Sequence, residues 1–302
     1  MKNNTENEYA SVKELLKKVL NTDEYSDICR MGGLTNRTYK VTVNGEDYVV
    51  RIPGEGTEEL INRKDEIVST RLACKLGVDA EMLYFGEDGA KVTRYINEAV
   101  TMSSETLKEE INIKRVAEIF QKVHSCGEDT GVPFEVFEMA GGYEKIINEK
   151  NVPMYGDYGE IKNKVMTIKK EIDALINAKK VPCHNDPLCE NWVLGGERMY
   201  LIDWEYAGMN DGMWDVADVS IEAGYDKKCD DMLLCAYLGR TPDTTDRKHF
   251  LASKIYVDYL WTLWAKARVP YDGQPMEDWA ATRYARLKGF IGEYINISGG
   301  NK

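Results

Sequence analysis

Apolar and polar residues repeat with two different periods along this chain, and the change of period divides it. Over 9–20, "YASVKELLKKVL" spaces Val12, Leu15, Leu16, Val19 and Leu20 at helical intervals, which predicts an amphipathic helix. From 38 to 52 the period drops to two. "TYKVTV" and "DYVVRI" alternate, and "NGED" between them supplies the Asn-Gly signal of a hairpin. "EELINRKDEIVSTRLACKLG" returns to the helical period and ends on Gly77, which suits a helix C-cap. "AEMLYFGEDGAKVTRYI" then reads as two strands around "GEDG". The first part of the chain is thus a small antiparallel sheet with one helix after its third strand.

From residue 103 onward the pattern is almost entirely helical. "SSETLKEEINIKRVAEIFQKVHSCG" opens on a Ser/Thr cap signal and stops at Gly127, predicting one helix over 103–127. Further amphipathic segments follow at 138–150, 158–180, 213–225, 227–239, 246–269 and 276–296. The predicted fold class is α+β, with a sheet-based part over 1–96, a connector around Arg94 to Ala99, and a larger helical part over 97–302. Clefts at such seams favour ligands.

Composition narrows the function. The chain has 302 residues, a net charge of −12 and 43% hydrophobic residues, so it is an acidic globular protein in which nucleic-acid binding is disfavoured as the main role. Most of the acidic excess falls after residue 95, which suits a cationic small molecule and equally a solvated surface. Seven scattered cysteines without a C-x-x-C pair, and three histidines, argue against structural zinc and for reduced thiols in the cytoplasm. The N-terminus has no signal-peptide pattern, and no run reaches the ~20 apolar residues of a membrane span. Oligomeric state leaves no trace in the sequence.

The densest chemistry lies in "VPCHNDPLCENWVLGGERMYLIDWEY", residues 181–206, where polar side chains interrupt strand-like runs. His184, Asp186 and Asn191 form H-x-D-x-x-x-x-N, and Asp203 follows at the end of "RMYLID". Phosphoryl transfer needs these types in this order. One aspartate accepts a hydroxyl proton, and an Asn oxygen with a second carboxylate holds Mg2+ against phosphates. A single Asp before a turn is more often a turn former, but four matched positions between apolar runs are hard to produce by accident. His184 reads as a buried hydrogen-bonding residue that fixes the loop.

"CHNDPLCENWVL" and "LIDWEYAGMNDGMWDVAD" resemble the signature blocks of the choline/ethanolamine kinases, particularly the bacterial choline kinases. That family shares the protein-kinase-like fold with the aminoglycoside phosphotransferases. The resemblance runs from "GGLTNRTYKV" to the C-terminal helices and is most specific over 184–218. It implies a bilobal protein-kinase-like fold, with an N-terminal nucleotide-binding lobe and a helical catalytic and acceptor-binding lobe. It also implies ATP and Mg2+, with Asp186 as catalytic base and Asn191 and Asp203 as metal ligands. Arg51 matches the cation that holds the nucleotide phosphates, and Glu66 its helix partner. Gly32, Gly33, Thr35 and Asn36 match the phosphate-covering turn, and Arg94, Tyr95 and Ile96 the adenine-contacting connector. There is no G-x-G-x-x-G loop, and the third-strand cation is Arg, a planar fork where protein kinases carry the point charge of Lys. A charge on a surface strand is the competing reading of Arg51.

The acceptor is expected to be a small cationic alcohol. Glu205 and Tyr206 follow Asp203 closely and are expected on the acceptor side. Trp261 and Trp264 lie three apart on one helical face. A quaternary ammonium donates no hydrogen bonds, so aromatic faces and diffuse negative charge must hold it. The resemblance assigns the Trp pair to a choline pocket, whereas plain core packing is the other reading. Tyr225 and Tyr284 are left unplaced by the sequence. The expected reaction is phosphorylation of choline to phosphocholine. Ethanolamine, thiamine or an aminoglycoside are alternatives within the fold, and a non-catalytic ligand-binding module is the alternative outside it.

Overall fold

The computed structural model describes residues 2–31, 36–54 and 62–299, with side chains over 9–31, 36–54 and 62–297. The chain divides into two compact units, Met1–Met102 with Glu190–Ala207, and Ser103–Cys189 with Gly208–Lys302.

The first unit opens with α1 (Lys2–Leu20), followed by β1 (Asp27–Arg30), β2 (Asn36–Val43) and β3 (Glu46–Pro53). Asn44 and Gly45 both take positive φ, 52° and 81°, so the Asn-Gly pair supplies the left-handed turn that matches strand twist. α2 (Arg63–Leu76) starts where the Asn62 side chain accepts the Lys64 N–H and ends at Gly77, with φ of 64°. β4 (Met82–Phe85) and β5 (Lys91–Arg94) complete a sheet of order β1-β2-β3-β5-β4. Val12, Leu15 and Leu16 of α1 bury against Tyr39, Val41, Val50 and Val92 of this sheet. Each buried Leu contributes about 1.5–3 kcal/mol, which is what holds a helix of marginal intrinsic stability in place.

β6 (Ala99–Thr101) lies beyond the boundary at 96 drawn from the sequence. After the second unit has begun with α3 (Ser104–Leu107), α4 (Glu110–His124), α5 (Val136–Glu149), α6 (Tyr158–Leu175) and β7 (Lys180–Cys183), the chain returns with β8 (Trp192–Gly195) and β9 (Arg198–Leu201). β8 pairs with β6 and β9, and Met102 N–H donates to Trp192 O at 2.9 Å. This three-stranded sheet is why the first unit runs to Met102 and takes in 190–207.

The expected helix over 103–127 is two helices. Ser103 and Thr106 form a reciprocal capping box that opens α3, and the Lys108 and Glu109 N–H groups turn back to Glu105 O and Thr106 O to end it. Asn112 Nδ2 then donates to Thr106 O at 2.9 Å, setting α4 against the end of α3. The remaining elements are β10 (Gly208–Asp211), α7 (Met213–Glu222), α8 (Lys227–Leu238), α9 (Thr244–Asp272) and α10 (Gln274–Gly299). α9 packs against α5, α6, α7 and α10 and buries Ile255, Val257, Leu260 and Leu263 completely, as a helix apolar on most sides must. β7 pairs antiparallel with β10, placing the loop after Cys183 beside the segment that leads into α7. All seven cysteines are free thiols. Among the described residues no helix is long and apolar enough to cross a membrane.

Candidate active site

In the first unit, β3 and α2 bring Arg51 and Glu66 together out of solvent, at 5% and 1% exposure. This burial excludes the reading of Arg51 as a surface-strand charge. Arg51 Nη1 stands 2.6 Å from Glu66 Oε1, yet off the N–H direction, so the ion pair is close without a well-aligned hydrogen bond. Nη2 donates to Gly89 O at 3.1 Å, whereas Nε and Nη1 have no hydrogen-bond partner among the described residues. Burial opposes the Arg51 charge, but Glu66, then Asp203 and Glu205, outweigh it and raise its pKa. Burial also opposes the Glu66 charge, and Arg51 with Lys91 and Arg63 outweighs it and lowers its pKa. Arg63 Nη1 donates to Glu66 Oε2 at 2.6 Å and extends the cluster. Asn36 joins it: its Oδ1 accepts from Arg63 Nη2 at 3.3 Å, and its Nδ2 donates to Glu205 Oε2 at 3.4 Å.

Glu205 was expected on the acceptor side. Its described partners are Asn36 and Arg63, the latter at 3.9 Å, both of the first unit. Burial, with Asp203 and Glu66 beside it, pushes its pKa up to about 8 against the pull of Arg51 and Arg63. Tyr206 lies in the same unit, half-buried. A cavity of about 230 Å³ is lined by Asn36, Arg51 and Asp203 together with the connector residues Arg94, Tyr95 and Ile96. The Arg94 side chain itself pairs with Glu46 and donates to Tyr48 Oη. Gly32, Gly33 and Thr35 lie outside the described residues.

The β8–β9 hairpin makes neighbours of the two expected metal ligands. Trp192 pairs with Leu201, and one step outward Ile202 N–H donates to Asn191 O at 2.9 Å. Asp203 follows with φ of 70°, a left-handed conformation that a non-glycine residue adopts at a cost of about 1–3 kcal/mol. Its side chain is 39% exposed and 3.6 Å from Arg51 Nη1. An amide oxygen and a partly open carboxylate are hard donors that leave room for water, which is what Mg2+ requires.

In the second unit the loop after β7 is built around Asp215 of α7, whose side chain is fully buried. Asp215 accepts the backbone N–H groups of His184 and Asn185, both at 2.8 Å, and bonds His124 Nε2 at 3.0 Å. Asn210 Nδ2 donates to Asn185 Oδ1 at 3.0 Å, and Trp214 Nε1 to Asn185 O at 3.0 Å. So braced, Asn185 holds a φ of 67°, and Asp186 N–H donates to His184 Nδ1 at 3.3 Å. His184 therefore fixes the loop. His124, Cys183 and Asp215 offer ligand atoms within 4.8 Å of one another. Asp215 already accepts three hydrogens there, and burial raises the Cys183 pKa well above the usual thiol range, so this cluster is a hydrogen-bonded core and not a metal centre.

The Trp261 and Trp264 rings meet edge to face at 6.0 Å, and Trp264 meets Trp279 the same way at 5.9 Å. Trp261 is buried and Trp264 half-buried, while Trp279 carries the Arg283 guanidinium 4.0 Å above its ring. Tyr284 stacks on Tyr155 at 4.1 Å and donates to Asp157, and Tyr225 donates to Leu107 O at 2.7 Å. Asp218, one turn after Asp215, is buried with both carboxylate oxygens lacking a hydrogen-bond partner among the described residues. Burial and Glu222 raise its pKa well above the carboxylate range against the pull of Arg283, and Asp186 adds to the rise.

Asp215, Asp218, Asn185, His124, Trp279 and Arg63 escaped the sequence reading. The spacing D-x-x-D in "WDVAD" puts two acids on one helical face, a signal that lies inside the signature block but from which neither acid's role follows by sequence alone.

The sequence model of the choline/ethanolamine kinases matches residues 29–264. Protein LicA of Haemophilus influenzae is 30% identical over 261 residues, 84% of this chain and 76% of that protein. A probable ethanolamine kinase of Arabidopsis thaliana is 28% identical over 75% of this chain and 62% of its own length. Among solved structures, a choline/ethanolamine kinase family protein from Mesorhizobium loti superposes with a TM-score of 0.84 at 32% identity, covering 96% of this chain and 98% of that one. Choline kinase LicA from Streptococcus pneumoniae gives 0.82 at 31%, covering 95% and 100%, and a LicA complex with AMP gives 0.76 at 29%, covering 94% and 98%. The fold is that of the protein-kinase-like phosphotransferases, and the chain belongs to the choline/ethanolamine kinase family, a kinase that phosphorylates an alcohol.

Proposed function

We propose that this kinase transfers the γ-phosphoryl group of ATP to the hydroxyl of choline, using Mg2+ held by Asn191 and Asp203. The observation that carries the nucleotide reading is Arg51, a buried cation lining a cavity, whose Nε has no hydrogen-bond partner among the described residues and whose Nη1, though ion-paired with Glu66, has no aligned one. Such donors are costly to bury unless an anion completes them, and a polyphosphate does so with fork geometry. The related LicA complex with AMP favours an adenine nucleotide. Bound by the two oxygen donors, Mg2+ would neutralise charge on the phosphates as the γ-phosphoryl leaves.

Asp186 accepts the hydrogen bond of the acceptor hydroxyl and takes its proton as the new P–O bond forms. Asp215 keeps that carboxylate aimed by holding the backbone on its N-terminal side. Asp218, kept neutral by burial and by Glu222, would ionise once the acceptor's cation lies beside it, and Trp264 offers ring surface to the cation's methyl groups. Ethanolamine is the second reading, favoured by the Arabidopsis relative and by the family's own scope.

The Trp pair separates the two alcohols. Trp264→Ala is expected to lower kcat/KM for choline about five- to thirtyfold, because a desolvated cation–π contact is worth about 1–2 kcal/mol. Ethanolamine, with a small and strongly hydrated ammonium, should lose less. Trp261 is the wrong residue to test, since at 4% exposure its truncation costs about 3–5 kcal/mol of folding. Equal losses for both alcohols in Trp264→Ala would remove the support for choline.

Arg51→Lys tests the phosphate grip. It keeps the charge against Glu66 but replaces the fork with a point donor, so KM for ATP should rise about tenfold and KM for choline little. Arg51→Ala is less informative, because breaking the buried Arg51–Glu66 pair leaves Glu66 with Arg63 alone among the described residues and costs up to about 3–5 kcal/mol of stability. A rise in KM for choline as large as that for ATP would count against a phosphate role.

A further inference from the structure

One lining residue of the first unit's cavity has no role in the scheme above. Asp79 is 5% exposed and follows Gly77, the C-cap of α2. Its position is fixed from both sides. Asp79 N–H donates to Ala73 O at 3.4 Å, and the preceding Val78 O accepts Leu201 N–H at 2.9 Å, tying this corner to β9. The carboxylate is fixed as well, since Oδ1 accepts the Ala80 N–H at 2.6 Å. Oδ2 is buried with no hydrogen-bond partner among the described residues, and it has no described ion pair. A lone buried acceptor is costly to maintain, and Asp79 lines the same cavity as Arg51 and the connector. Apolar side chains of Val49, Val193 and Ile202 line it too, as the flat faces of a purine require.

We propose that Asp79 selects the nucleobase: its unpaired Oδ2 accepts a hydrogen from the exocyclic 6-amino group of adenine. An acceptor-only carboxylate repels the 6-oxo group of guanine or hypoxanthine at that position. A turned guanine offers two parallel donors, which a carboxylate meets best with both oxygens, whereas Oδ1 already commits one lone pair and its orientation to Ala80 N–H. One free oxygen fits one amino group. Burial raises the Asp79 pKa to about 6, so above neutral pH the group is the carboxylate.

This inference rests on the nucleotide reading proposed above. The test is calorimetric binding at pH 8 of ATP, of purine riboside triphosphate, which lacks only the 6-amino group, and of GTP. It uses the full chain and the variants Asp79→Ala and Asp79→Asn, with melting temperatures measured in parallel. The wild type should bind ATP at least about tenfold more tightly than either analogue, as expected when a charge-assisted hydrogen bond is lost. Asp79→Ala should shrink the gap between ATP and the purine analogue at least about fivefold. Its melting temperature should stay near that of the wild type, because relief of the unpaired Oδ2 offsets loss of the Oδ1 bond to Ala80 N–H. Asp79→Asn should recover part of the gap through its amide oxygen. An unchanged gap in Asp79→Ala, or equal losses for ATP and the analogue, overturns the assignment to Asp79. Tighter binding of GTP than ATP by the wild type overturns it as well. Failure of the wild type to bind any of the three would strike at the nucleotide reading itself.

Discussion

Asp186→Asn is expected to lower kcat for choline phosphorylation by about two to four orders of magnitude, the range of a positioned general base. The amide keeps the shape of the carboxylate but cannot take a proton from the acceptor hydroxyl. Binding of Mg-ATP should change by less than about threefold, because in the proposed scheme the nucleotide is gripped by Arg51, Asn191 and Asp203. Folding should survive too. The loop's described ties run through Asp215, which holds the His184 and Asn185 amides, and through Asn210 and Trp214. Stopped-assay kcat, nucleotide Kd and a thermal melt together read the three expectations. Loss of ATP binding in parallel with kcat would mean that Asp186 serves the nucleotide and not the acceptor.

Asp203→Asn is the second large effect. If Asp203 holds Mg2+ as proposed, removing its charge should cost several kcal/mol of transition-state stabilisation, so turnover should fall by about three orders of magnitude. Asparagine is the substitution of choice because Asp203 sits at φ of 70°, where asparagine is among the best-tolerated residues. The Mg2+ concentration giving half-maximal activity should rise, and the melt should stay near that of the wild type. Turnover near wild type with an unaltered Mg2+ dependence would remove Asp203 from the metal site.

The parts of this protein that were legible from sequence are those where one local rule suffices. The Asn44-Gly45 turn follows from the need for two positive φ angles between alternating strands, and Gly77 from the left-handed end of α2. The nearness of Asn191 and Asp203 was readable because a short hairpin converts sequence spacing into adjacency, as the Ile202–Asn191 hydrogen bond records. What escaped depends on partners far along the chain. β1 and β6 span four and three residues, too short for a period, and exist because β2 and β8 lie alongside them. The break between α3 and α4 falls at Lys108 and Glu109, whose N–H groups turn back to Glu105 O and Thr106 O, a tightening that the helical period alone does not reveal. Asp215 is a polar position on a largely apolar helix. Its importance comes from two backbone amides thirty-one and thirty residues upstream. Glu205 was read from its nearness to Asp203 in sequence, yet its described partners Asn36 and Arg63 are set by β2 and α2.

The central claim is a transfer from ATP to choline, and phosphorus NMR of a competition reaction tests it most directly. The wild-type chain is incubated with Mg-ATP and equal concentrations of choline and ethanolamine, with a parallel sample containing chelator. The account predicts that phosphocholine and ADP appear together in equal amounts, that phosphocholine outweighs phosphoethanolamine, and that the chelated sample forms neither ester. Phosphoethanolamine as the dominant product, or ATP hydrolysis with no phosphate ester formed, would contradict it.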